Sequence, residues 1–530
     1  MKHIKKLASL LLALVMVLGL ATTAFAADVT NNTNHSYNAY QIFSGTQADS
    51  SVPLGDVEWG SGINSAAFLA ELKTDSRFNV GTDGANIFAS STTALDVSAV
   101  LSGYQDKSDV ANAFANVAAK HLTSVCTAIA ADATSVNLDA GYYLLVDTST
   151  PSDGDAMNSA LLQVTNKGTI TIEKKYDVPS VDKSVKDTDN QWGEAADWEI
   201  GSNVPFQLVG TLPSNYADYE TYKYVFHDTL TAGLQYNGDV KVYVQNGETK
   251  TELATGFTVA PDAAATAGGG TLTVTFDNLK NITSVSASSK IVVEYTAKLL
   301  PGAVIGSTGN KNEVYLEYSN NPNQTGDGTP TTSNTPKDEV LVFTYELDVT
   351  KVDGQNNETK LANAEFVLLN SDKAKAAKVA DGKFVEWVAV TTNEDGTVTY
   401  PEGTTLTSGS DGKFVIAGLD AGSYYLRETK APAGYNLLKD DISVTIAATL
   451  DKTENNPALT ALTISVDNGE ATNGDLTSGI VSTNVVNNSG AQLPETGGMG
   501  TTIFYVLGGV LVLAAVVLLV TKKRMSGAEK

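Results

Sequence analysis

The sequence predicts a mainly β protein built of tandem immunoglobulin-like sandwiches, the first with some helix, set between an N-terminal signal peptide and a C-terminal transmembrane segment. Three observations carry this reading. Apolar and polar residues alternate in short runs such as Val240-Lys241-Val242-Tyr243-Val244, Thr271-Leu272-Thr273-Val274-Thr275-Phe276 and Leu347-Asp348-Val349-Thr350-Lys351-Val352. Turn residues break such runs every ten residues or so, the pattern of half-buried strands in sandwiches. Gly, Thr, Asn and Val are abundant, and a long apolar stretch stands at each end of the chain.

From the N-terminus, Lys2, Lys5 and Lys6 precede an apolar stretch over 7–20, and Ala24-Phe25-Ala26 has the small-x-small form of a signal-peptidase site. Residues 1–26 therefore read as a signal peptide. At the other end an uncharged apolar run over 503–520 is followed by Lys522-Lys523-Arg524 in a basic tail, 521–530. The run is just long enough to cross a bilayer, and the basic triplet stays on the cytoplasmic side. Roughly 465 residues remain outside, enough for three or four domains. Composition shifts divide them into 27–172, 178–340 and 344–490, with boundaries at Tyr176-Asp177-Val178-Pro179 and the Asn/Pro/Thr-rich stretch 320–336.

Several chemistries are excluded. A formal net charge of −25 would repel phosphate backbones, so nucleic acid is no partner. The four histidines, at 3, 35, 121 and 227, are scattered, and with a single cysteine they make no zinc set and no disulfide. No P-loop, GxSxG or HExxH pattern occurs, so neither cofactor nor metal is expected. Asp187-Thr188-Asp189-Asn190 reads as an exposed Asx-rich turn rather than a calcium loop. Cys126 follows Val110, Phe114, Val117, His121 and Val125 at helical spacing, which predicts a buried core thiol.

The third block holds the most specific pattern. Leu347, Val349 and Lys351 share one face of a strand, as do Tyr424, Leu426 and Glu428 in the next, and Val485 and Asn487 in the last. A Lys, a Glu and an Asn on inward faces are costly unless they satisfy one another. Burial lowers the lysine pKa and raises that of the acid, favouring a neutral amine beside a protonated carboxyl. The amine can then attack the Asn side-chain carbonyl while the acid polarises it and shuttles protons, and ammonia leaves. Asn484 is the competing acceptor if a bulge intervenes.

Lys351-Val352-Asp353, the string from Tyr424 to Tyr435 (YYLRETKAPAGY) and Val486-Asn487 resemble the B-type repeat (CnaB-like) domains of collagen-binding adhesins and pilins. That resemblance implies an intramolecular isopeptide bond between Lys351 and Asn487 promoted by Glu428. In the second block, Pro179-Ser180-Val181-Asp182-Lys183-Ser184-Val185, Val225-Phe226-His227-Asp228-Thr229-Leu230 and the run opened by Asn312-Glu313-Val314-Tyr315 resemble the middle domain of fimbrial shaft proteins. It implies a second bond between Lys183 and Asn312 promoted by Asp228, and the spacing suits first and last strands lying side by side. In the first block Ala140-Gly141-Tyr142-Tyr143-Leu144-Leu145-Val146-Asp147 parallels the third, but Val146 stands where Glu428 does, so no such crosslink is expected. Tyr37-Asn38-Ala39-Tyr40-Gln41-Ile42-Phe43-Ser44-Gly45 and Val57-Glu58-Trp59-Gly60 also resemble the N-terminal domain of shaft pilins.

Leu493-Pro494-Glu495-Thr496-Gly497, ahead of the apolar run and basic tail, resembles the cell-wall sorting signal of Gram-positive surface proteins, which a sortase cuts between Thr496 and Gly497. At the junction of the first two blocks, where shaft pilins carry a Val-Tyr-Pro-Lys motif, this chain has Ile172-Glu173-Lys174-Lys175 without the proline. Strand alternation makes Lys175 the outward candidate acceptor and leaves Lys174 as the alternative. The whole resembles a covalent pilus shaft subunit. It implies a pilus-type sortase, identical subunits joined head to tail, a housekeeping sortase attaching the fibre to peptidoglycan, ancillary pilins, adhesion to host ligands, and no enzymatic turnover. The competing expectation is a monomeric wall-anchored adhesin.

Overall fold

The computed structural model describes residues 26–46, 54–106, 108–157, 159–164, 169–173, 177–324, 329–394, 397–453, 456–490 and 499–525. In the N-terminal region a five-stranded sheet is centred on Tyr37–Thr46 and Gly141–Asp147, which pair antiparallel. Helices cover one face of it. In Asp109–Lys120, Val110, Phe114 and Val117 fall on one stripe and are buried, and the Ser108 side chain caps the first turn by accepting from Ala111 N. This stripe and Phe68 and Leu72 of the helix Ser65–Thr74 form an apolar cluster with Ile42, Phe43 and Leu144 of the sheet. The opposite face packs on a small sheet in which Ala26–Asn31 runs parallel to Thr169–Ile172.

The helix stops at His121, so the helical spacing does not carry on to position 125. Val125 is exposed and so is Cys126, correcting the buried thiol expected from that spacing. Cys126 Sγ lies near Gln41 N, at the edge of a neighbouring strand.

The second region is a two-sheet sandwich. One sheet holds Val181–Lys186, Asn203–Gly210 and Lys290–Leu299; the other holds Tyr224–Leu230, Asn310–Ser319 and Asp338–Phe343. Along Asn203–Gly210 burial alternates strictly, Val204, Phe206 and Leu208 facing the interior, as period-two geometry requires. The third region holds a sheet of eleven strands, in which Tyr345–Asp353 lies between Lys413–Leu419 and Ile480–Asn487, and a separate two-stranded ribbon of Thr391–Thr392 and Val398–Thr399. The first and last strands of this region pair parallel, from Glu346 opposite Ile480 to Asp353 opposite Asn487.

The two sandwiches share one uninterrupted apolar core, running from Val185 to Val485. Their junction is tight enough to demand glycine. Gly418 has φ +90°, and a Cβ there would collide with the Ile200 side chain; Gly306 and Gly479 meet backbone to backbone. Ile200 N donates to Gly418 O at 2.9 Å, Trp387 Nε1 to Glu199 at 2.8 Å, and Lys452 pairs with Asp187 at 2.6 Å. Asp187 is thus held in a turn against the third region.

The N-terminal region meets the second through polar contacts. The loop 150–157 lies along Asn310–Ser319 and Thr332–Asn334: Gly154 N donates to Asn334 O at 2.7 Å, Met157 N to Asn320 O at 2.6 Å, and Ser333 Oγ to Ser152 O at 2.7 Å. His35 ties that loop to its own domain. Its Nδ1 contacts Asp147 and its Nε2 lies 2.7 Å from Asp155, with all three side chains buried. With a carboxyl against each ring nitrogen, the site favours the imidazolium, which donates from both. Burial alone would lower the His35 pKa, but the bonds to Asp147 and Asp155 outweigh it and raise the pKa above 6.5.

Toward the C-terminus, Met499–Met525 is a helix whose candidate membrane span, Ile503–Arg524, is 22 residues long and ends on the basic triplet Lys522-Lys523-Arg524. That is about 33 Å, sufficient for a bilayer core.

Because the folded protein holds a proton on His35 that the unfolded chain releases near pH 6.5, the clamp contributes fully below that pH. It is lost as pH rises through the raised folded value. Amide exchange over residues 152–157, corrected for its intrinsic pH dependence, should therefore quicken above pH 6.5 by at most about tenfold per pH unit. In His35→Gln that segment should be fast at every pH.

Candidate functional site

In the second sandwich the strand Val181–Lys186 turns Lys183 inward from one sheet, while Asp228 and Asn312 come from adjacent strands of the other, where Asp228 lies opposite Val314 and Leu230 opposite Asn312. Lys183 and Asn312 are 0 % exposed and Asp228 1 %. Lys183 Nζ donates to Asp228 Oδ1 at 2.6 Å and lies 5.4 Å over the Phe206 ring. Burial lowers the lysine pKa against the opposing pull of Asp228. The expectation of side-by-side first and last strands is corrected here. Asp338–Phe343 follows the Asn312 strand and pairs with it, so Lys183 and Asn312 stand on opposite sheets.

A fourth side chain, absent from the sequence reading, completes this cluster. Tyr295, inward on Lys290–Leu299 and stacked on Phe206 at 5.5 Å, donates its hydroxyl proton to Asp228 Oδ2. Having spent that proton, the oxygen can only accept, and it does so from Asn312 Nδ2 at 2.6 Å. Asn312 Oδ1 is buried without a hydrogen-bond partner. Such an orphan costs roughly 1–3 kcal/mol.

In the third region Lys351, Glu428 and Asn487 are likewise buried, the lysine and asparagine at 0 % exposure. Lys351 Nζ donates to Asn487 Oδ1 and lies 3.4 Å from Glu428 Oε1. Burial lowers the Lys351 pKa to about 8 despite the attraction of Glu428. Glu428 does not touch the amide carbonyl, contrary to the role expected for it. It accepts from Asn487 Nδ2, at 3.0 and 3.1 Å. The reason lies in the loop after the Glu428 strand: Asn436 O takes the other Nδ2 proton at 2.9 Å, which fixes the nitrogen on that side. Leu438 N donates to Glu428 Oε2 at 2.8 Å, so the segment 436–438, just past Ala-Pro-Ala-Gly-Tyr, closes the site with its backbone.

Asn484 is exposed opposite Thr350, away from this cluster. Val146 is half-buried on Gly141–Asp147, and no Lys-acid-Asn cluster lies beside it among the described residues. Lys174, Lys175 and residues 493–497 lie outside the described residues.

Residues 200–322 match the Gram-positive pilin backbone subunit 2, Cna-B-like domain, residues 345–457 the SpaA prealbumin-like fold domain, and residues 485–526 the LPXTG cell wall anchor motif. The chain is homologous to the Gram-positive backbone pilins. Its match to the LPXTG anchor motif, with the apolar helix beside it, makes it a surface protein anchored to the cell wall. The trypsin-resistant surface T6 protein of Streptococcus pyogenes serotype M6 is 25 % identical over 410 residues, covering 66 % of this chain and 70 % of that protein. Two solved structures are similar. The T6 backbone pilin of S. pyogenes has a TM-score of 0.46 at 17 % identity, over 88 % of this chain and 98 % of that one. The full-length major pilin SpaD of Corynebacterium diphtheriae has a TM-score of 0.44 at 16 % identity, over 89 % and 100 %. In this pilin homologue Asp228 and Asn312 fall inside the backbone-domain match, Lys351 and Glu428 inside the prealbumin-like match, and Asn487 inside the anchor match.

The two asparagines at the chain's end should behave differently when replaced. Asn487→Ala strips the buried lysine and acid of the amide between them and should cost more than about 2 kcal/mol in thermal unfolding. Asn484→Ala, on the exposed face, should stay within about 0.5 kcal/mol of the parent.

Proposed function

We propose that this chain, a pilus shaft subunit, is braced by two internal amides and joined to its neighbours by a third. Internally, Lys351 Nζ attacks Asn487 Cγ. The new C–N bond replaces the bond to Nδ2, the amine's proton passes to Glu428, and Glu428 returns a proton to the departing nitrogen, which leaves as ammonia. Lys183 and Asn312 react likewise with Asp228 as the acid. The observation that carries this reading is that each sandwich buries a lysine amine, a carboxyl and an asparagine amide in one hydrogen-bonded cluster, direct in the third region and bridged by the Tyr295 hydroxyl in the second. The depressed lysine pKa values supply the nucleophile. Each amide closes a loop of more than 100 residues, for which the chain-entropy model gives on the order of 4–5 kcal/mol.

Between subunits, a pilus-type sortase cleaves after Thr496 and passes the acyl group to Lys175 of the next copy, with Lys174 the alternative acceptor. A donor at one end and an acceptor near the other make a contact that does not close, hence an open fibre. A housekeeping sortase transfers the last subunit to peptidoglycan, and ancillary pilins and host ligands are the remaining partners.

The intact secreted chain should weigh about 34 Da less than its sequence, one ammonia of about 17 Da for each amide. Glu428→Ala should recover one of these losses and keep the other; a mass equal to the sequence would remove the crosslinks altogether. For polymerisation, an immunoblot of wall extracts should show a ladder that collapses to monomer in Lys175→Arg while wall anchoring persists. Survival of the ladder in the double change Lys174→Arg/Lys175→Arg would exclude this junction as the acceptor. A single band from the parent chain would instead indicate a monomeric wall-anchored adhesin.

A further inference from the structure

The two clusters solve one problem with acids of different length. In the third region Glu428 reaches the asparagine nitrogen itself, at 3.0 and 3.1 Å, while lying 3.4 Å from the lysine. In the second sandwich the acid is an aspartate, one methylene shorter. It holds the lysine at 2.6 Å through Oδ1, and its other oxygen meets the asparagine nitrogen only through the Tyr295 hydroxyl, 2.6 Å from Asn312 Nδ2. Lys183 Nζ also lies 3.5 Å from that hydroxyl, so nucleophile, acid and leaving nitrogen all converge on one oxygen.

We propose that Tyr295 is a catalytic residue of the second sandwich's amide-forming step, its hydroxyl passing a proton from Asp228 to the nitrogen that leaves Asn312. The proposal rests on the crosslink reading above and adds a residue to it. Lys183, having given one proton to Asp228, attacks Asn312 Cγ and forms the new C–N bond. As the bond from Cγ to Nδ2 breaks, Tyr295 gives its hydroxyl proton to Nδ2 and takes the proton held by Asp228. Asp228 then takes the surplus proton from the attacking nitrogen. The result is one secondary amide and one ammonia, with Tyr295 returned to its starting form and Asp228 left holding the one proton by which the lysine ammonium exceeded the neutral amine. A relay needs a hydroxyl that stays protonated between transfers, and burial, reinforced by Asp228, holds the Tyr295 pKa well above its ordinary value. The ring is packed independently of the hydroxyl, against Phe206 and Tyr236.

The test uses the full-length chain in pulse-labelled cells, with quantitative peptide mass spectrometry of the linked Lys183–Asn312 and Lys351–Asn487 peptides over time. Tyr295→Phe keeps the ring and should slow the Lys183–Asn312 link by at least about 100-fold, the lower range for a positioned acid-base group. The Lys351–Asn487 link, formed at the parental rate in the same molecules, reports that the variant folds. Adding Asp228→Glu to Tyr295→Phe supplies an acid long enough to reach Asn312 directly and should return the rate to within about tenfold of the parent. A Tyr295→Phe chain that links at the parental rate overturns the relay. So does slowing that the longer acid fails to rescue, which would assign Tyr295 to packing. Absence of the Lys183–Asn312 peptide from the parent chain would overturn the crosslink reading itself, and the relay with it.

Discussion

Everything specific about the two sandwiches follows from placing a lysine amine in a dry interior. An unpaired ammonium there would cost several kcal/mol, so a buried lysine survives only with a partner close by and the remaining polar atoms accounted for. Lys183 has a carboxyl and a phenol hydroxyl within reach, and Lys351 a carboxyl and a primary amide. That requirement dictates strand register. A slip of one residue on any of the contributing strands would turn Lys, acid or Asn outward and leave its partners stranded. The alternation of apolar residues and the polar trio therefore enforce the same pairing.

The two sites meet the constraint through different topologies. In the second sandwich, lysine and tyrosine come from one sheet, and acid and asparagine from the other, so the cluster pins the sheets face to face. In the third region lysine and asparagine stand on neighbouring parallel strands, and the acid reaches them from across the fold, under a loop whose backbone closes the site. Where the acid is short a phenol fills the gap, and where it is long none is needed.

Legibility in the sequence tracks how local each signal is. Strand parity was readable because same-face apolar neighbours declare which face is inward: Leu347 and Val349 for Lys351, Tyr424 and Leu426 for Glu428, Val181 and Val185 for Lys183. Which strands lie beside one another was not, and the placement of Lys183 and Asn312 on opposite sheets depends on a later strand, Asp338–Phe343, that inserts beside Asn312. Tyr295 escaped notice because it sits among Ile291, Val293 and Ala297 as one more inward apolar residue. The signal was its hydroxyl, which an interior position obliges to find a partner. His35 was read as one of four scattered histidines. Yet it lies at even spacing before the buried Tyr37 and Ala39, which extends the inward parity back to it and obliges its ring to find hydrogen-bond partners. The misplacement of Cys126 came from extending a helical period past a helix that stops at His121.

The parallel pairing of Tyr345–Asp353 with Ile480–Asn487 has a mechanical meaning. The chain enters the third region at the start of the first of these strands and leaves it, toward the wall, at the end of the second. Tension along a fibre thus drags the two strands past each other in opposite directions along their length. Their eight register pairs are loaded together in shear, whereas an antiparallel hairpin pulled from its open end would unzip one pair at a time. The region is strung in the orientation in which a sheet resists stretching best, before any covalent tie is counted.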